Sequence, residues 1–249
     1  MKEMSFVEHL EELKKAVIKI LIILAVAFAL CYALSDHICE FLLSPLRIAF
    51  KETSAGEIVY LGLLDKIISQ LQVALWSAVV LSSPLWFREI WQFVKPGLFQ
   101  REIKTIRPFF LVGLLLFWIG IFFAYFVVFP MAFQILMDYG VGGVKATIGL
   151  RDYLVLSSKA LLFFGLAFQL PNILLILGLM GLVSKQSLRE MRRYIYVAFA
   201  IAAAILTPPD VFSMLAVWFP MVMLFEVGIL AVALIVRPQA VQEAQSQEV

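Results

Sequence analysis

The chain of 249 residues is 63% hydrophobic and 15% charged, with 22 phenylalanines and a mean hydropathy of +0.96. That balance excludes an ordinary soluble globular domain and marks an integral membrane protein. A net charge of +2 leaves no basic surface of the size that phosphate contacts demand, which argues against nucleic acid as a partner.

In chain order, Ser5 followed by Glu8 reads as a capping box that starts a helix running into the first apolar segment. Phe6, Leu10, Leu13 and Val17 share one face of that helix, with Glu8 and Glu12 assigned to the opposite face near Lys15 and Lys19. Acidic residues suit a helix N-terminus, and Glu11 and Lys15 have favourable i,i+4 spacing, so a structural role accounts for most of the patch. A cationic ligand is the competing account.

A bilayer core of about 30 Å needs about 20 apolar residues in a helix. Residues 17–34, 71–87, 108–129 and 156–180 meet that need. The first reads as a retained anchor, since no small-x-small cleavage site is found after it. Pro84 is expected to kink the second. The next segment, FREIWQFVKPGLFQREIKTIRP, breaks at Lys-Pro-Gly, with Phe93 and Leu98 around the break and Glu102 among Arg101, Lys104 and Arg107. Trp86, Trp91 and Phe93 suit an interfacial elbow.

The long connections at 35–70 and 130–155 are expected to form a cap, and DYGVGGVKATIG is too rich in glycine to be helical throughout. Gln169 and Glu226 are the polar intrusions into apolar segments, where an ionisable group is a functional candidate by default. Gln169 precedes Pro171, so a kink and an interhelical hydrogen bond explain it structurally. The stretch 194–236 is cut at Thr207-Pro-Pro-Asp210 into spans 194–207 and 211–235. Residues 194–206 reach only about 20 Å as a helix, short of a full bilayer, so the turn lies below the far surface or thins the membrane.

The Lys and Arg distribution places both termini in the cytoplasm. Residues 1–237 therefore read as a single polytopic, all-α membrane domain with six transmembrane helices, and 238–249 as a disordered tail. Cys31 and Cys39 lack disulfide-framework or metal spacing, and HExxH, GxSxG and P-loop motifs are absent, so no cofactor or catalytic site is expected. A small-solute secondary transporter with Glu226 and Gln169 at a midplane site is the alternative function. Against it, the two halves show no inverted repeat.

Five segments taken together resemble the TatC family of twin-arginine protein translocases: HLEEL at 9–13, SPL at 44–46, SPLWFREIWQFVKPGLFQREIK at 83–104, FAYFVVFPMAF at 123–133 and LTPPDVFS at 206–213. The resemblance implies a non-enzymatic core subunit with six helices in a cupped arrangement, the fifth and sixth short, in the bacterial inner membrane. It implies capture of signal peptides bearing an arginine pair and export of folded proteins on the proton-motive force, with TatA- and TatB-type single-span partners, self-association and contact with membrane lipid. By the same resemblance Glu12 and Glu102 bind the arginines, Phe93 and Leu98 lie in the signal-binding loop, and Lys14 and Lys104 occupy commonly basic positions. Pro45, Tyr125 and Asp210 match positions linked to translocation. Gln169 and Glu226 are expected to contact partners, although Gln169 departs from the glutamate common among relatives. Asp65 in LGLLDKIISQ stands in for an acid that relatives place near the start of the second span.

The chemistry of the proposed pair holds without the resemblance. A guanidinium is a planar fork that matches a carboxylate bidentately, whereas an ammonium is a point charge. An exposed ion pair yields only about 0–1 kcal/mol, so apolar contacts from Phe93 and Leu98 are expected to contribute.

Overall fold

Backbone groups inside a bilayer have no water to bond, so apolar runs satisfy them internally as helices. The structure, a computed structural model, describes residues 6–53, 56–97, 100–132, 146–207 and 211–235. Its elements are α1 (Phe6–Ala33), α2 (Ser35–Thr53), β1 (Gly56–Val59), α3 (Asp65–Leu81), α4 (Ser83–Val94) and α5 (Gln100–Phe123), then β2 (Ala146–Gly149), α6 (Leu150–Ala167), α7 (Leu170–Leu179), α8 (Lys185–Leu206) and α9 (Val211–Ile235).

Glu8–Ala33, Ile106–Ala132, Leu150–Leu179 and Val211–Ile235 are long and apolar enough to cross a membrane, and α3 with α4 qualifies as one span bent by 54°. The bend falls at Ser82, with Pro84 in the first turn of α4. There the Trp86 indole donates to the Val79 carbonyl at 2.8 Å. The expected segment 71–87 thus straddles a break, beyond which α4 forms a separate amphipathic helix. Beside Gln169 the helix is interrupted between α6 and α7, although Leu150–Leu179 still qualifies as one span.

Two expectations about the last hairpin need correction. α8 begins at Lys185, well before residue 194, because Ser184 caps it by accepting from the Ser187 amide. Its first turns are polar, so an apolar count sees only its second half. The sixth expected helix is not short: α9 runs for 25 residues. The turn 208–210 and the tail 236–249 lie outside the described residues.

The chain divides into two compact units, residues 1–114 with 136–162 and residues 115–135 with 163–249. In the first unit α1 packs on α3 and α4. Cys31, Ala74 and Ala78 form the buried contact, with Ala27, Phe28 and Ile38 against it. Small residues of this kind let helix backbones approach in a membrane.

The structure shows which side of α1 packs against its unit. Leu10, Leu13 and Val17 are exposed, while His9, Glu12, Ala16 and Ile20 form the half-buried stripe. In lipid the large apolar face turns outward, and polar and small groups turn toward protein.

The same unit holds a strand pairing that no periodic signal in the sequence announces. β1 and β2 run parallel, in register from Gly56↔Ala146 to Val59↔Gly149. Asp65 stabilises the adjacent turn: its carboxylate accepts from the amides of Gly62 at 2.6 Å and Leu61 at 3.2 Å, and it lies 3.6 Å from Arg151. Asp65 is thus a turn and ion-pair residue.

In the second unit Leu188, Phe225, Ile229 and Val232 make the buried core, with Leu174, Ile195 and Phe199 packed around it. Gly120 is required by close approach: a Cβ there would stand 2.6 Å from the carbonyl oxygen of Phe164.

Candidate functional site

The acidic stretch that opens the chain and the elbow after the second span meet along one seam. Pro84 and the bend at Ser82 turn α4 so that it lies against α1. Phe93, in the last turn of α4, stacks face to face on His9 with ring centroids 4.7 Å apart and an interplanar angle of 21°. One turn further along α1 from His9 stands Glu12, whose Oε2 is buried without a hydrogen-bond partner among the described residues. Lys19 Nζ lies 3.2 Å from Oε2 of Glu89, which is one turn before Phe93 on α4. The chain then tightens into a 3-10 turn at Lys95–Gly97. It returns as α5, where the Phe110 ring packs on Trp91 with centroids 4.4 Å apart.

A half-buried carboxylate next to a flat aromatic stack, with one oxygen unpartnered among the described residues, is an acceptor open to a donor. Leaving such a group unpaired costs about 1–3 kcal/mol, so a donor that reaches it gains more than it would at an exposed pair. A planar cation that stacks on aromatic rings and donates through a fork satisfies both features.

Glu102 and Lys104 stand in the first turns of α5, and their side chains lie outside the described part of the structure, as do residues Leu98 and Asp210. Lys14 is exposed and does not belong to the buried stripe. Pro45 is buried inside α2. Tyr125 is buried in a π-helical turn, Ala124–Val128, and packs edge-on against Phe126 and Phe129. The wide turn has a local cause: Pro130 has no amide to donate, and the Phe129 amide reaches back five residues to Ala124.

Gln169 is buried at the start of α7, with Asn172 Nδ2 3.5 Å from its Oε1. Glu226 accepts from both Arg192 and Tyr196 of α8, and the Trp218 indole donates to the Tyr196 carbonyl at 2.9 Å. Glu226 is thereby engaged within its own unit as an interhelical pair. This differs from a solute-binding carboxylate open at the midplane.

The family of Sec-independent protein translocase protein (TatC) matches residues 8–220. The chain belongs to the TatC family. It is 32% identical over 243 residues to the Sec-independent protein translocase protein TatC of Desulforapulum autotrophicum, covering 98% of this chain and 89% of that one. The TatC of Magnetococcus marinus is 35% identical over 241 residues, 97% of this chain and 88% of that one. The TatC of Escherichia coli K12 is 31% identical over 224 residues, covering 90% and 86%. The fold is similar to a crystal structure of the twin-arginine translocase receptor TatC, with a TM-score of 0.83 at 26% identity, covering 92% of this chain and all of that one. TatC proteins are protein-transport components of membranes and not enzymes.

Three residues of the seam were not singled out by sequence reasoning as parts of a site: His9, Lys19 and Glu89. His9 was legible in principle, since it stands three residues before Glu12 and so shares its face. The pairing of Lys19 with Glu89 joins positions 70 residues apart, and no local pattern announces it.

Proposed function

We propose that this TatC-family chain is the signal-peptide receptor and core subunit of a twin-arginine translocation system. It spans the bacterial inner membrane six times with both termini in the cytoplasm, the polar-ended α8 serving as the fifth crossing. Glu12 and Glu102, from the two segments that flank the α1–α4 seam, take the two arginines. Phe93 and Leu98 contribute apolar contact, and Lys14 and Lys104 flank the acids. TatA- and TatB-type partners and further copies of the chain complete the assembly that exports folded proteins on the proton-motive force, with Pro45, Tyr125, Gln169, Asp210 and Glu226 acting after first contact.

The observation that carries the reading is Oε2 of Glu12, buried with no partner among the described residues, one turn from the His9–Phe93 stack. A carboxylate held this way favours a forked, planar donor over an ammonium, which is the discrimination an arginine pair requires. The test places a photo-crosslinker at Glu8 and, separately, at Arg101, leaving both carboxylates intact, and offers signal peptides with Arg-Arg or Lys-Lys. Strong labelling by the first and weak labelling by the second is expected. Equal labelling by both removes the specificity claim.

A further inference from the structure

The first unit contains an open cavity of about 540 Å³ between α2, β1, α3 and the start of α6, away from the seam just described. Its volume is that of a small-molecule site. Four charged side chains line it: Asp36, Glu40 and Arg47 from one face of α2, and Lys66 from α3. No ion pair forms among these four, although two are acids and two are bases. Asp36 accepts from Gln70 at 2.6 Å, while Glu40, Arg47 and Lys66 make no such contact with another described side chain. Glu40 and Arg47 are seven residues apart on α2, about 10 Å along the axis, beyond ordinary i,i+4 pairing. The cavity therefore presents separated charges of both signs over an apolar floor that includes Leu43 and Leu154.

Its position names the source of the ligand. α2 begins two residues after α1 ends, which puts this wall of the cavity next to the end of a candidate membrane span, where lipid headgroups would be met. At its edge Tyr60, Leu61, Leu63 and Leu64 are exposed, Leu63 completely. Consecutive large apolar side chains around a turn belong in lipid, and a tyrosine suits the interface.

We propose that this cavity binds a zwitterionic phospholipid headgroup, phosphoethanolamine, with its acyl chains leaving over the Tyr60–Leu64 lip. Arg47 and Lys66 hold the phosphate, and Glu40 and Asp36 accept from the ammonium. A purely anionic headgroup leaves both acids unanswered. A trimethylated ammonium has no proton to donate to them.

The test uses the full chain, purified in detergent and equilibrated in turn with dilauroyl phosphatidylethanolamine, phosphatidylglycerol and phosphatidylcholine, with retained lipid read by native mass spectrometry. Retention of the ethanolamine lipid is expected to exceed that of the other two about tenfold, and to fall about tenfold in Glu40→Gln and in Arg47→Gln with Lys66→Gln, as loss of charge-assisted hydrogen bonds implies. Lys185→Gln, on α8, leaves it unchanged. Equal retention of the three lipids, or unchanged retention in the cavity variants, overturns the proposal. So does displacement by an equimolar soluble glycerophosphoethanolamine, which assigns the cavity to a water-borne ligand. A readout that needs no variant is alkylation of Cys39, which lines the cavity. The ethanolamine lipid should protect it and the glycerol lipid should not, and equal protection by both overturns the headgroup assignment.

Discussion

Glu12→Gln separates binding from folding at the α1–α4 seam. The substitution keeps the shape of the side chain and removes its charge. Oε2 of Glu12 is buried and unpartnered among the described residues, so replacing it breaks no described hydrogen bond of that oxygen. Its removal is therefore expected to leave the melting temperature unchanged or raised, as relief of an unanswered acceptor predicts. Binding should respond in the opposite sense. A hydrogen bond to a charged group contributes about 1.5–3 kcal/mol, which corresponds to a loss of roughly 10- to 150-fold in affinity. An exposed ion pair would change the affinity by less than about fivefold. The assay is fluorescence anisotropy of a labelled Arg-Arg signal peptide and its Lys-Lys counterpart on the purified chain, beside thermal unfolding of the same samples. The weaker Lys-Lys binding should change little, because an ammonium uses the site as a point charge. A fall in melting temperature with unchanged peptide affinity would refute the reasoning and make Glu12 a structural residue. An equal loss for both peptides would refute the claim that the fork is what the seam reads.

The remaining predictions concern packing, pairing and reactivity. Gly120→Ala puts a Cβ 2.6 Å from the Phe164 carbonyl oxygen and 2.9 Å from Phe168, and should destabilise the chain by about 1–3 kcal/mol of overpacking, read as a lowered melting temperature. Arg192→Met leaves Glu226 without its cation and should destabilise more than Arg192→Met combined with Glu226→Leu, with a coupling of about 1–2 kcal/mol in a double-mutant cycle. Additive effects would mean that the pair is incidental. Burial, and after it the Asp36 carboxylate, push the Cys39 thiol up to about 11 from 9.0. The neutral thiol is the form the folded state favours, so this contribution to stability is complete below pH 9 and is lost as pH rises toward 11. Alkylation of Cys39 by iodoacetamide at pH 8 should accordingly run roughly a hundredfold slower than that of an unperturbed thiol, and a rate equal to that of a free thiol would contradict the burial.

The parts of the fold legible in the sequence were those the bilayer dictates, and the hidden parts depended on partners distant in the chain. The apolar runs at 17–34, 108–129, 156–180 and 211–235 had to become helices because lipid offers no other hydrogen-bond partners, and they did. The breaks at Pro84 and beside Gln169 were legible for the same reason, since a proline removes a donor whatever surrounds it. The parallel pairing of Gly56–Val59 with Ala146–Gly149 was not, because it joins segments about 90 residues apart with no periodic signal. Which face of α1 packs against the rest of its unit was not legible, because a helix wheel separates the two faces without saying which one a membrane protein turns inward. The face that packs bears on the acidic run at the N-terminus. Glu8 and Glu11 are exposed, as end charges of a helix should be, whereas Glu12 falls on the stripe that packs toward α4. Glu8 is on the same side of the helix as Glu12, four residues earlier, but lies exposed near its start. Glu12 is the one whose carboxylate oxygen is buried with no partner among the described residues, and that oxygen is the acceptor the proposed arginine pair would answer.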